Sequence, residues 1–360
     1  MENNVSVNTK KRIDWLDIAK LLGIFCVIMA HQPINQDVIF IYNGFAIPLF
    51  FFLCGITTSN KSIKIDIEKS ARTILVPYVC FFIISYLVWW FPIEFLRHPE
   101  LWERSFKEIV LKPFLGLLVG FAGNTSYSTM VNSPLWFLPC LFWTKAVDSL
   151  ISAIKNKTVR RIIIAFVFVL SVILFKIKLN LGPFVLLVQA ILLYPILECG
   201  KIFKKYFLKY FMDENLSLKK RFIIFVELVI SVALFCLRTY IEKRLNIVSI
   251  YMGLQGSWLQ CLFGAVSGVW AIISLSRLIG HAPKVIMTLS QNTLIILGFH
   301  IIIYLYLIIL LEKFFNINFR TYIPLGYSFI LTTVVLFLCL IPINLIKRFC
   351  PWMIGSKKVK

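Results

Sequence analysis

The chain has 360 residues, of which 59% are hydrophobic and 15% aromatic, and its formal net charge is +21. A soluble domain is usually about 45–50% apolar, so the composition excludes an ordinary soluble protein. The basic residues lie mostly in short connectors between apolar segments. We therefore expect them to act as topology signals and to contact anionic lipid headgroups, with no binding of nucleic acid.

Apolar segments long enough to cross hydrocarbon recur along almost the whole chain. They are continuous rather than alternating, and this pattern predicts helices and not the strands of a barrel. We predict an all-α fold, a single domain over residues 1–360 that forms a polytopic helical bundle in the cell (cytoplasmic) membrane. The ten predicted spans are 14–33, 38–58, 74–95, 134–153, 160–178, 183–203, 221–240, 254–276, 287–311 and 323–346.

The distribution of basic residues predicts the orientation of this bundle. The ten spans place most basic clusters on one side of the membrane: KKR at 10–12, the segments 61–72 and 201–221, KNKTVRR at 155–161 and the C-terminal KKVK. The positive-inside rule then puts both termini, including the tail 1–12, in the cytoplasm. The longest connector, 96–133, faces outward. Its apolar stretch VLKPFLGLLVGFAG is too short and glycine-rich for a span, so it either lies on the surface or re-enters the membrane.

The nine cysteines are scattered, and none forms a CxxC motif. Most lie in apolar segments, where cysteine behaves as a small hydrophobic residue. We predict neither a metal site nor a disulfide framework. No small-residue cleavage site follows the first apolar segment, which is therefore expected to remain as a helix.

The first span, DWLDIAKLLGIFCVIMAH, contains three ionisable residues that make it a candidate site. Asp17 and Lys20 are three residues apart and share a helix face, as a functional pair or as an anchor at the cytoplasmic boundary. His31 lies eleven residues beyond Lys20, about three turns and ~16 Å along the same face. It is either a functional imidazole or an interfacial histidine bonded to a loop carbonyl.

Four further segments carry residues of interest. Arg72 in KSARTILVPY either binds phosphate or is an ordinary positive-inside residue. Trp136 in PLWFLPCLFW either lines a sugar site or belongs to an interfacial belt. His300 ends SQNTLIILGFH as a second imidazole inside the membrane. FAIPLFFFLCG ends in Cys54-Gly55, which permits close helix packing.

As a set, WLDIAKLLGIFCVIMAH, FAIPLFFFLCG, ARTILVPY, LWFLPCLFW and SQNTLIILGFH resemble the membrane acyltransferase-3 family. The chain is most similar to the branch of fucose O-acetylase-like and polysaccharide intercellular adhesin modification proteins. The resemblance implies a ten-helix domain that moves acyl groups, usually acetyl, from cytoplasmic acyl-CoA to sugar hydroxyls of surface glycans. Lys20 stands where many members have arginine, and Cys54-Gly55 where many have Ser-Gly.

The resemblance also suggests roles for the candidate residues. His31 would be the general base, with Asp17 and His300 as the other catalytic candidates. Lys20 and Arg72 would hold the phosphates of acyl-CoA, a donor substrate and not a bound cofactor. Acceptor or oxyanion contacts would come from Asn43, Trp136 and Asn292. The expected partners are membrane lipids, a glycan acceptor, acyl-CoA and other polysaccharide biosynthesis proteins.

Two other functions share this hydropathy pattern. One is a polysaccharide exporter or polymerase, which would not need Lys20 aligned with His31. The other is a structural membrane subunit of a polysaccharide synthase, in which the membrane histidines would be expendable.

Overall fold

The computed structural model describes residues 13–355 with short gaps, namely 36–38, 40–41, 43, 60–61, 95–105, 121–124, 126, 179–181, 213–215, 245–249, 252–253 and 256. The tail 1–12 and Asn43 lie outside the described residues, and the connector 96–133 is described only in part.

The described part of the chain is helical apart from one short hairpin. Its α-helices are α1 (Asp14–Ala30), α2 (Ala46–Thr57), α3 (Ile63–Ser70), α4 (Val76–Ser85), α5 (Lys112–Val119), α6 (Phe137–Ser152), α7 (Lys157–Ile177), α8 (Val185–Tyr206), α9 (Leu218–Arg244), α10 (Trp258–Ile279), α11 (Lys284–Gln291), α12 (Thr293–Phe315), α13 (Leu325–Leu338) and α14 (Leu340–Phe349). Shorter 3₁₀ turns cover Ser133–Trp136, Gly182–Phe184, Leu208–Phe211 and Pro351–Ile354. The hairpin pairs β1 (Ile250–Tyr251) antiparallel with β2 (Leu254–Gln255).

Seven helical segments of the described chain are long and apolar enough to cross a membrane. They are Ile63–Pro92, Lys157–Ile177, Val185–Tyr206, Leu218–Glu242, Trp258–Ile279, Thr293–Phe315 and Leu325–Phe349. Each overlaps one of the ten predicted spans. The predicted spans 14–33, 38–58 and 134–153 instead contain the shorter helices α1, α2 and α6, of 17, 12 and 16 residues. The predicted span 287–311 is broken at Asn292, between α11 and α12.

Three π-helical turns lie at prolines, and one of them carries Arg72. The turn Ala71–Leu75 comes just before Pro77, Tyr86–Glu94 contains Pro92, and Lys107–Leu111 comes just before Pro113. Proline has no N–H, and its ring clashes with the carbonyl four residues earlier. A wider turn relieves that clash, so α3 and α4 continue as one helix through Arg72.

Helix α1 lies at the centre of the bundle and packs against α2, α10, α11, α12 and α13. A close helix crossing joins α2 to α8 at Gly55 and Gly200. A Cβ atom on Gly55 would lie 2.1 Å from the Leu197 carbonyl oxygen, and one on Gly200 would lie 2.1 Å from that of Phe52. Only glycine permits this backbone approach.

The segment 107–119 packs against α4 and the turn that follows it. The Tyr86 hydroxyl donates to the Ile109 carbonyl at 3.3 Å, and the Tyr78 hydroxyl donates to the Leu117 carbonyl at 2.7 Å. Tyr78 is near the middle of the long apolar segment Ile63–Pro92. The return path packs beside it, with the Thr129 N–H bonded to the Lys112 carbonyl at 3.0 Å. The described part of the connector therefore packs against α4, and its position relative to the membrane stays a prediction.

Contacts between loops define two ends of the bundle. At the Asp14 end, Asp14 meets His281 at 2.8 Å, Lys204 donates to the Thr58 carbonyl at 2.5 Å, and Gly355 packs on the backbone of Arg72. At the His31 end, the Ile323 N–H donates to the Pro33 carbonyl at 2.8 Å.

Candidate active site

His31 stands at the last turn of α1, where the helix stops. Its backbone N–H bonds to the Ile28 carbonyl at 3.3 Å, and the Gln32 N–H bonds to Met29 at 3.1 Å. Pro33 cannot continue the helix and disfavours helical backbone at the residue before it. The imidazole therefore lies at the end of a buried helix and is exposed to a cavity.

A second imidazole, that of His300 on α12, lies against His31. The ring centroids are 5.6 Å apart and the planes are tilted by 47°. His300 is 1% exposed, and its Nδ1 is 2.9 Å from the Ile296 carbonyl oxygen. A carbonyl can only accept, so Nδ1 carries the proton. Its Nε2 is buried and has no hydrogen-bond partner within the described residues, which leaves an acceptor beside His31.

The cavity at His31 has a volume of about 450 Å³ and a mixed lining. Polar atoms come from His31, Gln32, Tyr304 and Arg320, and the remaining lining is largely aliphatic. Arg320 belongs to the loop between α12 and α13 and is held by Glu312, with Nε 2.9 Å from Oε2. The same loop is bonded to Pro33 through the Ile323 N–H, and both Pro33 and Arg320 line the cavity. Its size and polarity suit a polar substrate group next to an imidazole.

Two buried amides fix the helices around the histidine pair. The Gln32 Nε2 donates to Thr332 Oγ1 on α13 at 2.8 Å. The Asn132 Nδ2 lies 2.8 Å from Ser85 Oγ and 2.9 Å from the Gly298 carbonyl, two residues before His300. Sequence reasoning passed over Asn132, although it is the second-last residue of the polar stretch NTSYSTMVNS. The signal was its position two residues before an apolar span.

Charged residues gather near the other end of α1, and sequence reasoning found only some of them. Lys20 is 3.0 Å from Asp17, which is 3% exposed, so the predicted pair forms. The Lys145 Nζ on α6 lies 4.0 Å from the Cys54 Sγ on α2, so a lysine from a second helix reaches the end of α2.

A buried ion network adjoins this group. Lys201 Nζ is 2.5 Å from Asp148 and 3.0 Å from Glu198, and the Tyr194 hydroxyl donates to Glu198 at 3.3 Å. The criterion that selected Lys20 was a charged residue within a predicted span. The same criterion, applied to every predicted span, would also have selected Lys145, Asp148 and Glu198.

The remaining predicted site residues lie in other parts of the structure than the histidine pair. Arg72 is exposed at the Asp14 end, on a turn that packs against α6, the helix of Lys145. Trp136 ends the 3₁₀ turn before α6 and packs against buried apolar clusters. Asn292 occupies the break before α12, where its Nδ2 is 2.5 Å from the Thr288 carbonyl. Asn43 falls outside the described residues.

Fold and site together define a class: a multi-pass membrane protein with two neighbouring imidazoles, one of them facing a cavity. The comparison with protein families is more specific, since the acyltransferase-3 model, described as an acyltransferase domain, matches residues 13–344. The chain belongs to the acyltransferase-3 family and is a membrane acyltransferase. No curated protein and no solved structure matches the chain.

Proposed function

We propose that the protein is an O-acyltransferase that moves an acyl group, acetyl by family default, from acyl-CoA to a hydroxyl of a cell-surface or secreted polysaccharide. The branch that fits is the fucose O-acetylase-like and polysaccharide intercellular adhesin modification group. The single observation that carries the proposal is the imidazole pair of His31 and His300 beside a 450 Å³ cavity with polar lining.

In this proposal, the acceptor hydroxyl enters the cavity and meets His31. The imidazole removes the hydroxyl proton as the oxygen attacks the thioester carbonyl carbon. When the tetrahedral intermediate collapses, the carbon–sulfur bond breaks, and the CoA thiolate takes the proton back from His31. A new ester and free CoA result, and the histidine is restored.

His300 serves as a positioning residue in the same step. Because its Nδ1–H is committed to the Ile296 carbonyl, its Nε2 is left as an acceptor on a ring that lies beside that of His31. A hydrogen bond from His31, direct or through one water, would fix which nitrogen of His31 is free to act as the base. This is the logic by which a third group orients a catalytic imidazole.

The donor would approach from the Asp14 end. Lys20 and Arg72 would bind its phosphates, with Asp17 orienting Lys20, and Lys145 is a further cation for this site. The pantetheine arm would follow the α1 face toward His31. The candidates for stabilising the oxyanion or binding the acceptor remain Asn43, Trp136 and Asn292. Asn132 is better placed to hold α12, because its donor nitrogen is already bonded to Ser85 and Gly298.

The decisive test is acyl transfer by purified protein in proteoliposomes, with labelled acetyl-CoA and the polysaccharide isolated from the same cells. His31→Ala should lower the rate by about 10²–10⁴, the usual cost of losing a general base. His281→Ala is the matched control, because this histidine is exposed at the opposite end of the bundle. Near-normal rates in a folded His31→Ala protein would reject the proposal.

The exporter alternative is separated by mass spectrometry of the surface glycan. Deleting an acyltransferase should leave the polysaccharide at the surface without its acyl groups. Deleting an exporter should remove the polysaccharide from the surface while acylation of the remaining material stays normal.

A further inference from the structure

A basic pocket opens at the Asp14 end, away from the histidine pair. It has a volume of about 380 Å³ and lies between the turn Leu208–Phe211, the start of α9 and the end of α10. Its charged lining comprises Lys209, Lys220, Arg277 and Glu227, three cations against one carboxylate. The pocket therefore has a net positive charge suited to an anion.

Aromatic packing fixes the arginine of this pocket. The Arg277 guanidinium lies 4.0 Å from the centre of the Phe211 ring, and its Nη1 is 4.0 Å from the Glu227 Oε2. Phe211 is itself held, because its carbonyl accepts a 3.0 Å hydrogen bond from the Trp15 indole. Arginine presents a planar set of donors that matches phosphate, so this placement is prepared for a phosphate group.

An apolar groove of about 230 Å³ lies next to the basic pocket, between α2, α8 and α10. Its lining includes Phe203, Phe207 and Trp270. The two sites meet at one aromatic cluster, in which Phe211 contacts both Phe203 and Trp270. The groove opens on the outer surface of the bundle, where Ile202 and Val266 are 45% and 57% exposed.

The groove and the pocket follow one stripe of α10. Leu262, Val266 and Trp270 line the groove at intervals of four residues, and Arg277 in the pocket comes seven residues later. This spacing puts all four on one helix face. The stripe is about 22 Å long at ~1.5 Å per residue, which exceeds half of a ~30 Å hydrocarbon core. It is long enough for one acyl chain of a single leaflet.

We propose that this surface binds one anionic phospholipid, with the phosphate between Lys209, Lys220 and Arg277 and one acyl chain in the groove. The basic pocket alone would accept any phosphate. The apolar groove that continues from it favours a lipid, because a free phosphate leaves that surface unused. The site does not depend on the proposed acyl transfer, since it shares no residue with the His31 cavity.

The test is native mass spectrometry of the detergent-purified full chain, titrated with phosphatidylglycerol or phosphatidylcholine of the same acyl chains. Wild-type protein should bind phosphatidylglycerol more tightly. The double variant K220Q/R277Q should lose about thirtyfold in that affinity, given the contribution of each basic residue near anionic lipid. K157Q/R161Q is the matched control, because it removes two exposed charges from the same end of the bundle at α7.

A second variant and a competitor separate a lipid from a free phosphate. Val266→Trp fills the groove and should weaken phosphatidylglycerol binding without touching the basic residues. Inorganic phosphate at millimolar concentration should not displace the lipid. Displacement by phosphate together with unchanged binding by Val266→Trp would overturn the lipid proposal, as would equal affinity for the two lipids in wild type. Size-exclusion profiles establish that each variant is folded.

Discussion

The two membrane histidines differ in what surrounds them, and this difference separates their roles. His31 is exposed to the cavity, whereas His300 is buried, with one ring nitrogen already bonded to a backbone carbonyl. A group that exchanges protons with a substrate must reach it. The exposure of His31 meets that condition, and in the proposed mechanism the buried His300 acts on His31.

Replacing His300 with Ala should therefore lower kcat less than His31→Ala does. We expect kcat to fall about ten- to a hundredfold, because this factor corresponds to the free energy of one hydrogen bond to a charged group. The KM for acyl-CoA should not change, and the dependence of kcat on pH should shift, because His31 loses its neighbour. Kinetics of the purified protein between pH 5 and 9 check this. A loss as large as that of His31→Ala, with an unshifted pH dependence, would show that His300 is itself the base.

In the proposed function, Lys20 and Arg72 bind the phosphates of acyl-CoA at the Asp14 end. Lys20→Gln and Arg72→Gln should then each raise the KM for acyl-CoA about tenfold or more, because each would remove a charge-assisted contact to phosphate. The KM for the acceptor should stay constant. Lys64→Gln is the control, since Lys64 is exposed and pairs only loosely with Glu68, at 4.0 Å. If Arg72→Gln changes the stability or insertion of the protein but not the KM, Arg72 is a topology residue.

At the scale of elements, the crossing of α2 and α8 sets the position of Cys54 relative to α8. Gly55 follows Cys54 directly, and its contact with Gly200 brings the two backbones together. A side chain at this crossing would push the helices apart. Overpacking of a tight contact typically costs about 1–3 kcal/mol.

Gly55→Ala should accordingly lower the thermal midpoint of the purified protein, measured by tryptophan fluorescence in detergent. Gly326→Ala is the matched control, because no atom lies within 4 Å of a Cβ placed there. The control should be neutral or slightly stabilising. Equal midpoints for the two variants would mean that the close approach at Gly55 is not needed for stability.

Across the whole molecule, charge is distributed unevenly between the two ends. Several basic clusters that the structure describes lie at the Asp14 end, including those at 64–72, 201–209 and 219–221. The described part of the chain also begins and ends there, at Ile13 and Gly355. The positive-inside rule therefore predicts that this end faces the cytoplasm and that the His31 cavity opens toward the outside.

Cysteines introduced singly at Ser62 and Asn318 in a cysteine-free background test this orientation. Both positions are exposed, Ser62 toward the Asp14 end and Asn318 in the loop at the His31 end. An impermeant thiol reagent added to intact cells should label position 318 and spare 62, and permeabilised cells should label both. The reverse pattern in intact cells would invert the assigned orientation.

The sequence by itself determined the class of the protein, its family and the pairing of Asp17 with Lys20, because these depend on local hydropathy, on ordered motifs and on i,i+3 spacing. It could also propose His31 and His300 singly, from the cost of placing an imidazole in lipid. Only the tertiary structure decided that the two rings meet, that Lys145 reaches Cys54, and that Asn132 ties α12 to α4. These contacts join residues 47 to 269 positions apart, and helix packing, which no local pattern encodes, brings them together.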